Sequence, residues 1–279
     1  MASLRYVVAD VFTDTALAGN QLAVFTDGRG VDDETMQKLA KEMNISETVF
    51  VLPATDGGHA RIRIFTPATE LPFAGHPVLG SAFVLAAPLQ LGEIRLETKS
   101  GLVPVTLERE GARITFGWMQ QPLPTWEPFA EAEAVEEVLG VRSQLPVELY
   151  NLGPGFAYFA LESEDAVAAL EPNFAALGKI TDYGISVFAG SGTHWKTRMF
   201  APSSGVAEDP ATGSAAGPLG IHLARHGRIA FDEEIEVSQG AEIGRPSKLH
   251  VRVTGSGDDI RRVDVGGSAV IVARGEFKL

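Results

Sequence analysis

The chain has 279 residues, 45% of them hydrophobic, and a formal net charge of −13. That is enough apolar material for one large domain or two ordinary ones, and the acidic balance excludes nucleic acid and anionic membrane surfaces, which demand clustered Lys and Arg. With no cysteine, disulfides, thiolate metal sites and thiol catalysis are excluded together.

The N-terminal MASLRYVVADVF enters a strand-like pattern at once, without the basic and long apolar regions of a signal peptide, so a cytoplasmic protein is expected. LAGNQLAVF follows, in which Asn20 forms a turn with Gly19 or reaches toward a ligand. DDETMQKLAKEMN reads as a helix, SETVFVL and RIRIFTP as strands, and ELPFAGHPVLGSAFVL as a Pro/Gly loop running into an apolar helix. PVLGSAFVLAA is apolar on every face, as expected of a helix enclosed by its own lobe. The run from Val78 to Leu91 is interrupted by Gly80, Ser81 and Pro88 and is too short to span a bilayer. Strands at EIRLETKSG, VPVTLE and RITFG complete the first half, and the Pro-rich MQQPLPTWEP, Met119 to Pro128, marks a boundary.

Beyond that boundary the same landmarks return in the same order. EPNFAALGK is helix-like, GISVFAG matches SETVFVL, KTRMFAP matches RIRIFTP, EDPATGSAAGPLGIHLARHG repeats the loop and helix, and EIEVSQG repeats the glycine-ended strand. The chain therefore reads as an α+β protein of two pseudo-symmetric lobes, residues 1–120 and 121–279, the last strand returning to the first lobe. Each lobe is expected to curl an antiparallel sheet or barrel around one central helix.

If equivalent loop–helix junctions lie about a pseudo-twofold axis, a cleft between the lobes brings GHP and TGS face to face. Pro77 suits a first helical turn, Gly75 allows close backbone approach, and Gly213 and Ser214 open the second helix, with Pro218 expected in or near its first turn. Each junction is then either an anion site for a substrate carboxylate or simply a well-capped helix start. Glu47, with Ser46 before it, enters an apolar strand; burial there would raise its pKa toward a useful acid/base range, unless the pair is an ordinary cap or surface feature. Asp209 and His76 are open between site residues and helix-start residues. His222 and His226 in HLARH share a helix face, but no third ligand is evident, so no metal is expected, and His226 reads as a helix C-terminal residue. No Walker A or G-x-G-x-x-G motif is present, and no cofactor is expected.

The segments EMNISET, RIFTP, ELPFAGHP, RMFAPSSGVAEDPATGSAAGPL, IHLARHG and EIGRPS resemble the phenazine-biosynthesis isomerase family, over essentially the whole chain. The resemblance implies the diaminopimelate-epimerase fold, a homodimer, and a cofactor-free isomerase acting on trans-2,3-dihydro-3-hydroxyanthranilic acid. It makes Glu47 the acid/base residue, carrying a proton from C3 to C1, with His76 and Asp209 holding and polarising the substrate. Gly75, Gly213 and Ser214 would bind the substrate carboxylate; Ser46 and Asn20 would line the site, although Gln21 stands where the family has proline. Epimerases of this fold use two cysteines at the junctions. Here Ala74 and Thr212 stand there, which excludes a two-thiol mechanism. The alternatives are an isomerase of the same fold acting on another small carboxylic acid, or a non-catalytic ligand-binding or assembly protein.

Overall fold

The computed structural model describes residues 3–279; Met1 and Ala2, which open the strand-like N-terminal stretch, lie outside the described residues. Two compact units emerge. One is the chain up to Gln120 together with Gly266–Leu279, and the other is Gln121–Val265.

The first unit contains β1 (Ser3–Val11), β2 (Asn20–Phe25), α1 (Asp33–Met43), β3 (Glu47–Leu52), β4 (Ala60–Phe65), β5 (Glu70–Leu71), α2 (Gly75–Leu89), β6 (Glu93–Thr98), β7 (Gly101–Glu110) and β8 (Arg113–Gln120). The second contains β9 (Thr125–Pro128), α3 (Ala132–Leu139), β10 (Glu148–Asn151), β11 (Gly155–Ala160), α4 (Glu164–Ala168), α5 (Phe174–Ile180), β12 (Gly184–Ser191), β13 (His194–Ala201), β14 (Val206–Asp209), α6 (Gly213–Arg225), β15 (Glu234–Gln239) and β16 (Ser247–Ser256). Within β17 (Asp259–Gly267) the chain passes back to the first unit, where β18 (Ala269–Lys278) pairs antiparallel with β1.

The element order is the same twice. In the first unit β3 and β4 are antiparallel, β5 pairs antiparallel with β4, α2 follows, and β6 pairs antiparallel with β7. In the second, β12, β13, β14, α6, β15 and β16 repeat that pattern. The sheets are not purely antiparallel as expected: β2 runs parallel to β3 and β4 to β6, and likewise β11 to β12 and β13 to β15. Each of these pairs is joined through a helix, and a helical crossover returns the chain in its original direction where a tight hairpin reverses it.

Both central helices are enclosed by their own units. In α2 every residue from Gly75 to Val84 is buried, and the helix packs against β1, β2, β6 and β8. Gly80 permits the approach: a Cβ there would lie 2.6 Å from Leu22 Cδ2 and 2.7 Å from Val11 Cγ2. In α6 every residue from Gly213 to Ala224 is buried, against β16 and β11. Beside α2 the first unit stacks Phe25 on Phe50 at 4.7 Å, and α1 covers this cluster with Met36, Leu39 and Ala40. The second unit builds a separate core from Phe129, Phe159, Phe200, Ile185 and Val187. α1 starts on Asp32, whose carboxylate accepts from Thr35 N at 2.7 Å, and stops at Asn44, which takes the left-handed conformation (φ 50°).

Candidate active site

That left-handed Asn44 turns the chain out of α1 into a bend holding half-buried Ser46, and β3 then begins at Glu47. Because β3 runs parallel to β2 with Glu47 beside Leu22, Glu47 and Asn20 lie at neighbouring strand starts. His76, second residue of α2 and only 3% exposed, meets both. Its Nε2 lies 3.1 Å from Glu47 Oε2 and its Nδ1 3.3 Å from Asn20 Nδ2. The Glu47 side chain is 15% exposed. Gln21 points to solvent from β2, so the absence of proline there leaves Asn20 in place. Burial pushes the His76 imidazole down to about 3, although a hydrogen bond with the Gln21 backbone works the other way. At neutral pH the Glu47–His76 contact is therefore a neutral ring against a carboxyl, not an ion pair. Such a ring can exchange a hydrogen bond with the carboxyl as its protonation changes, without imposing a fixed charge.

Neither helix start is capped by a side chain. At α2 the N-cap is Ala74, extended at φ −152° and ψ 138°, and at α6 it is Thr212; neither helix has an acidic residue in its first turn. The positive ends of both dipoles thus lack the side-chain cap that would have made them ordinary helix starts. Pro77 is the third residue of α2, where a missing N–H costs nothing, whereas Pro218 is the sixth of α6 and lies in its second turn, later than expected.

In the second unit Asp209, the last residue of β14, is buried and is not the N-cap. Its Oδ2 accepts from Thr212 Oγ1 at 2.6 Å, which draws the threonine hydroxyl away from the helix. Gln239, from the end of β15, locks this turn: its Nε2 donates to the Asp209 carbonyl (2.8 Å) and to Thr212 Oγ1 (3.0 Å), and its Oε1 accepts from Thr212 N (3.1 Å). Sequence reasoning missed Gln239. The one local signal is the glycine after it: Gly240 has φ +81°, and a Cβ there would meet the Arg245 and Pro210 carbonyl oxygens at 2.4 and 2.5 Å. Gly213 and Ser214 sit at the start of α6, and the Gly213 carbonyl accepts from Gln121 Nε2 at 2.6 Å.

Residues 9–275 match the model of the family described as phenazine biosynthesis-like protein. The chain belongs to this family. It is 48% identical to the trans-2,3-dihydro-3-hydroxyanthranilate isomerase of Pseudomonas aeruginosa, over 99% of each chain, and is itself an isomerase. Among solved structures it resembles a phenazine biosynthesis protein of the PhzF family from Bacillus anthracis, at 25% identity and a TM-score of 0.86 over 100% of both chains. A probable proline racemase from Agrobacterium radiobacter K84 shares the fold at 12% identity, with a TM-score of 0.70 over 99% of this chain and 93% of the other. No helix among the described residues is long and apolar enough to cross a membrane.

In this member of the phenazine biosynthesis-like family the HLARH pair does find a third partner, which its sequence neighbourhood did not reveal. Glu148 of β10 places Oε2 3.1 Å from His222 Nδ1 and 3.2 Å from His226 Nε2. The donor types suit a cation, but the oxygen a metal needs is already taken: Arg225 Nη1 lies 2.7 Å from it and also donates to Tyr150 Oη at 2.6 Å. Burial by itself would raise Glu148, yet hydrogen bonds from His222, Arg225, His226 and Tyr150 hold its carboxyl well below the usual range. Burial keeps His222 neutral, and Trp126 covers the guanidinium at 4.5 Å. The cluster fastens the C-terminal end of α6 to β10, at the opposite end of the helix from Gly213 and Ser214.

Proposed function

We propose that the protein is a trans-2,3-dihydro-3-hydroxyanthranilate isomerase of phenazine biosynthesis, working by proton transfer through Glu47 and without a cofactor. The observation that carries this reading is the Glu47 carboxyl set against the buried, neutral His76 at 3.1 Å, in a chain 48% identical along its length to the Pseudomonas aeruginosa enzyme of that name. Glu47 as carboxylate takes the proton from C3 of the ring and, now a carboxylic acid, returns it to C1 on the same face. The double bonds shift, and the enol tautomerises to the ketone, 6-amino-5-oxocyclohex-2-ene-1-carboxylic acid. A single pivoting carboxylate suffices for a transfer confined to one face.

His76, held by Asn20, orients the Glu47 carboxyl and the substrate. The uncapped backbone N–H groups at Gly75, and at Gly213 and Ser214, take the substrate carboxylate, since a helix start without a side-chain cap or a first-turn acid favours an anion. Asp209, stiffened by Thr212 and Gln239, serves the same substrate as a hydrogen-bonding partner. The reading also assigns Ser46 to substrate binding, and takes the enzyme to be a cytoplasmic homodimer.

Glu47→Gln tests it. The amide keeps the shape and removes the base, so substrate should still bind while turnover falls by about 100-fold or more. Proton NMR in deuterated water reads both, because the wild-type reaction should show hydrogen movement or solvent exchange at one ring carbon. Isomerisation by Glu47→Gln at the wild-type rate would overturn the assignment.

A further inference from the structure

The two R-x-F segments that mark the duplication have no task in the reaction as described. Arg63 of β4 and Glu70 of β5 form a bidentate pair, Nε to Oε1 and Nη2 to Oε2, both at 2.8 Å. Arg198 of β13 and Glu208 of β14 repeat it at 2.9 and 2.8 Å. In each case the guanidinium lies 5.1 Å from the centroid of the phenylalanine two residues on, Phe65 or Phe200. Both glutamates sit on the short strand that delivers the chain to a helix start, equally far upstream of Gly75 and Gly213.

The surroundings differ in a way that isolates the shared part. Arg63 also reaches Asp33, and Glu70 also receives Lys99, on a partly solvated surface. The Arg198–Glu208 pair is buried, with both side chains 6% exposed. There Arg198 Nη1 donates instead to the carbonyls of Val167 and Ala168, each at 3.3 Å, and of Leu170 at 2.8 Å. What recurs is the planar fork gripping the strand before the helix. A fork sets orientation as well as distance, because two oxygens are held at once. Glu208 immediately precedes Asp209, so any twist of β14 about its axis swings the Asp209 carboxylate. A buried ion pair adds little net stability over apolar residues of the same volume, and a partly solvated one adds little too, so the recurrence of the same fork at both junctions points to orientation.

We propose that Arg198 is a positioning residue, acting through Glu208 to hold Asp209 and the start of α6, and that Arg63 with Glu70 does the same for the segment delivering Gly75 and His76. The link to catalysis rests on the isomerase reading above; the link to loop order does not. Arg198→Met combined with Glu208→Leu removes both charges while keeping volume and leaves no buried charge alone, so the protein should still fold, with a melting temperature lowered only by the hydrogen bonds that Arg198 gave to the Val167, Ala168 and Leu170 carbonyls. Its kcat/KM for the dihydro-hydroxyanthranilate should fall by about 10- to 100-fold, and amide hydrogen exchange from Asp209 to Ser214 should quicken while β15 and β16 keep their protection. Arg198→Lys, which keeps the charge but not the fork, should fall between. Unchanged exchange across Asp209–Ser214 overturns the proposal, and so does wild-type turnover in the folded double variant. If the wild type itself fails to turn over this substrate, the substrate reading fails and the exchange arm still decides the clamp.

Discussion

His76 joins the site's carboxyl to its amide through the two nitrogens of one ring, and its burial sets how the site responds to pH. In the unfolded chain this ring takes a proton below about 6.5, while in the folded protein it resists until about 3. Between those values the unfolded state binds more protons, so His76's contribution is complete above about pH 6.5 and is lost as pH falls toward 3. The expected loss between pH 7 and pH 5 is about 2 kcal/mol more for the wild type than for His76→Gln. Urea unfolding at both pH values checks it, and equal losses would mean that the ring is not held neutral. At this scale the legible residues are those in short contiguous motifs. Glu47 in ISET and His76 in AGHP stand out because a charged or ionisable residue interrupts an apolar stretch. Gln239 does not, because a glutamine closing a strand looks like any surface glutamine until the fold carries it back to Thr212, 27 positions earlier.

At the scale of the element, the absence of caps at the starts of α2 and α6 is a deliberate-looking weakness. A hydroxyl at position 74 has the backbone it needs, since Ala74 already holds the extended conformation of an N-cap. Ala74→Ser should therefore raise stability by about 1 kcal/mol by satisfying a first-turn N–H, and should raise KM because that donor is no longer open to the substrate carboxylate. Thermal melting and steady-state kinetics on the same preparation test the pair of effects. A more stable variant with unchanged KM would remove the α2 start from the binding site. α1, α2, α5 and α6 were legible from pattern and from loops rich in Pro and Gly, and so were the strand repeats, whereas the short α3 and α4 went unread. The direction of the strands was not, because period-two alternation is the same in parallel and antiparallel ladders. A helical crossover allows the parallel pairs β2–β3, β4–β6, β11–β12 and β13–β15, but which strands come side by side is set by the tertiary fold.

For the whole molecule, the closing strand ties the end of the chain to its beginning. β18 runs along β1 from Ser3 opposite Lys278 to Val11 opposite Ala269, and Phe277 touches Tyr6 and Phe25 at 5.4 and 5.8 Å. A chain ending at Ser268 should lose hydrogen-exchange protection through β1, β2 and β3 while β12 and β13 of the second unit keep theirs. Retained protection in β1 would show that the first unit closes without its last strand. The amino-acid sequence by itself determined the duplication, the two loop–helix junctions, the exclusion of thiol chemistry and the family resemblance, because each is written in local order, periodicity or composition. Only the tertiary structure decided which residues became neighbours. Asn20 and His76 are 56 positions apart, and Glu148 and His222 are 74 apart. It also revealed the paired arginine forks behind the R-x-F repeats and the burial that keeps His76 neutral. Burial and long-range contact depend on how strands stack around α2 and α6, and no stretch of neighbouring residues encodes them alone.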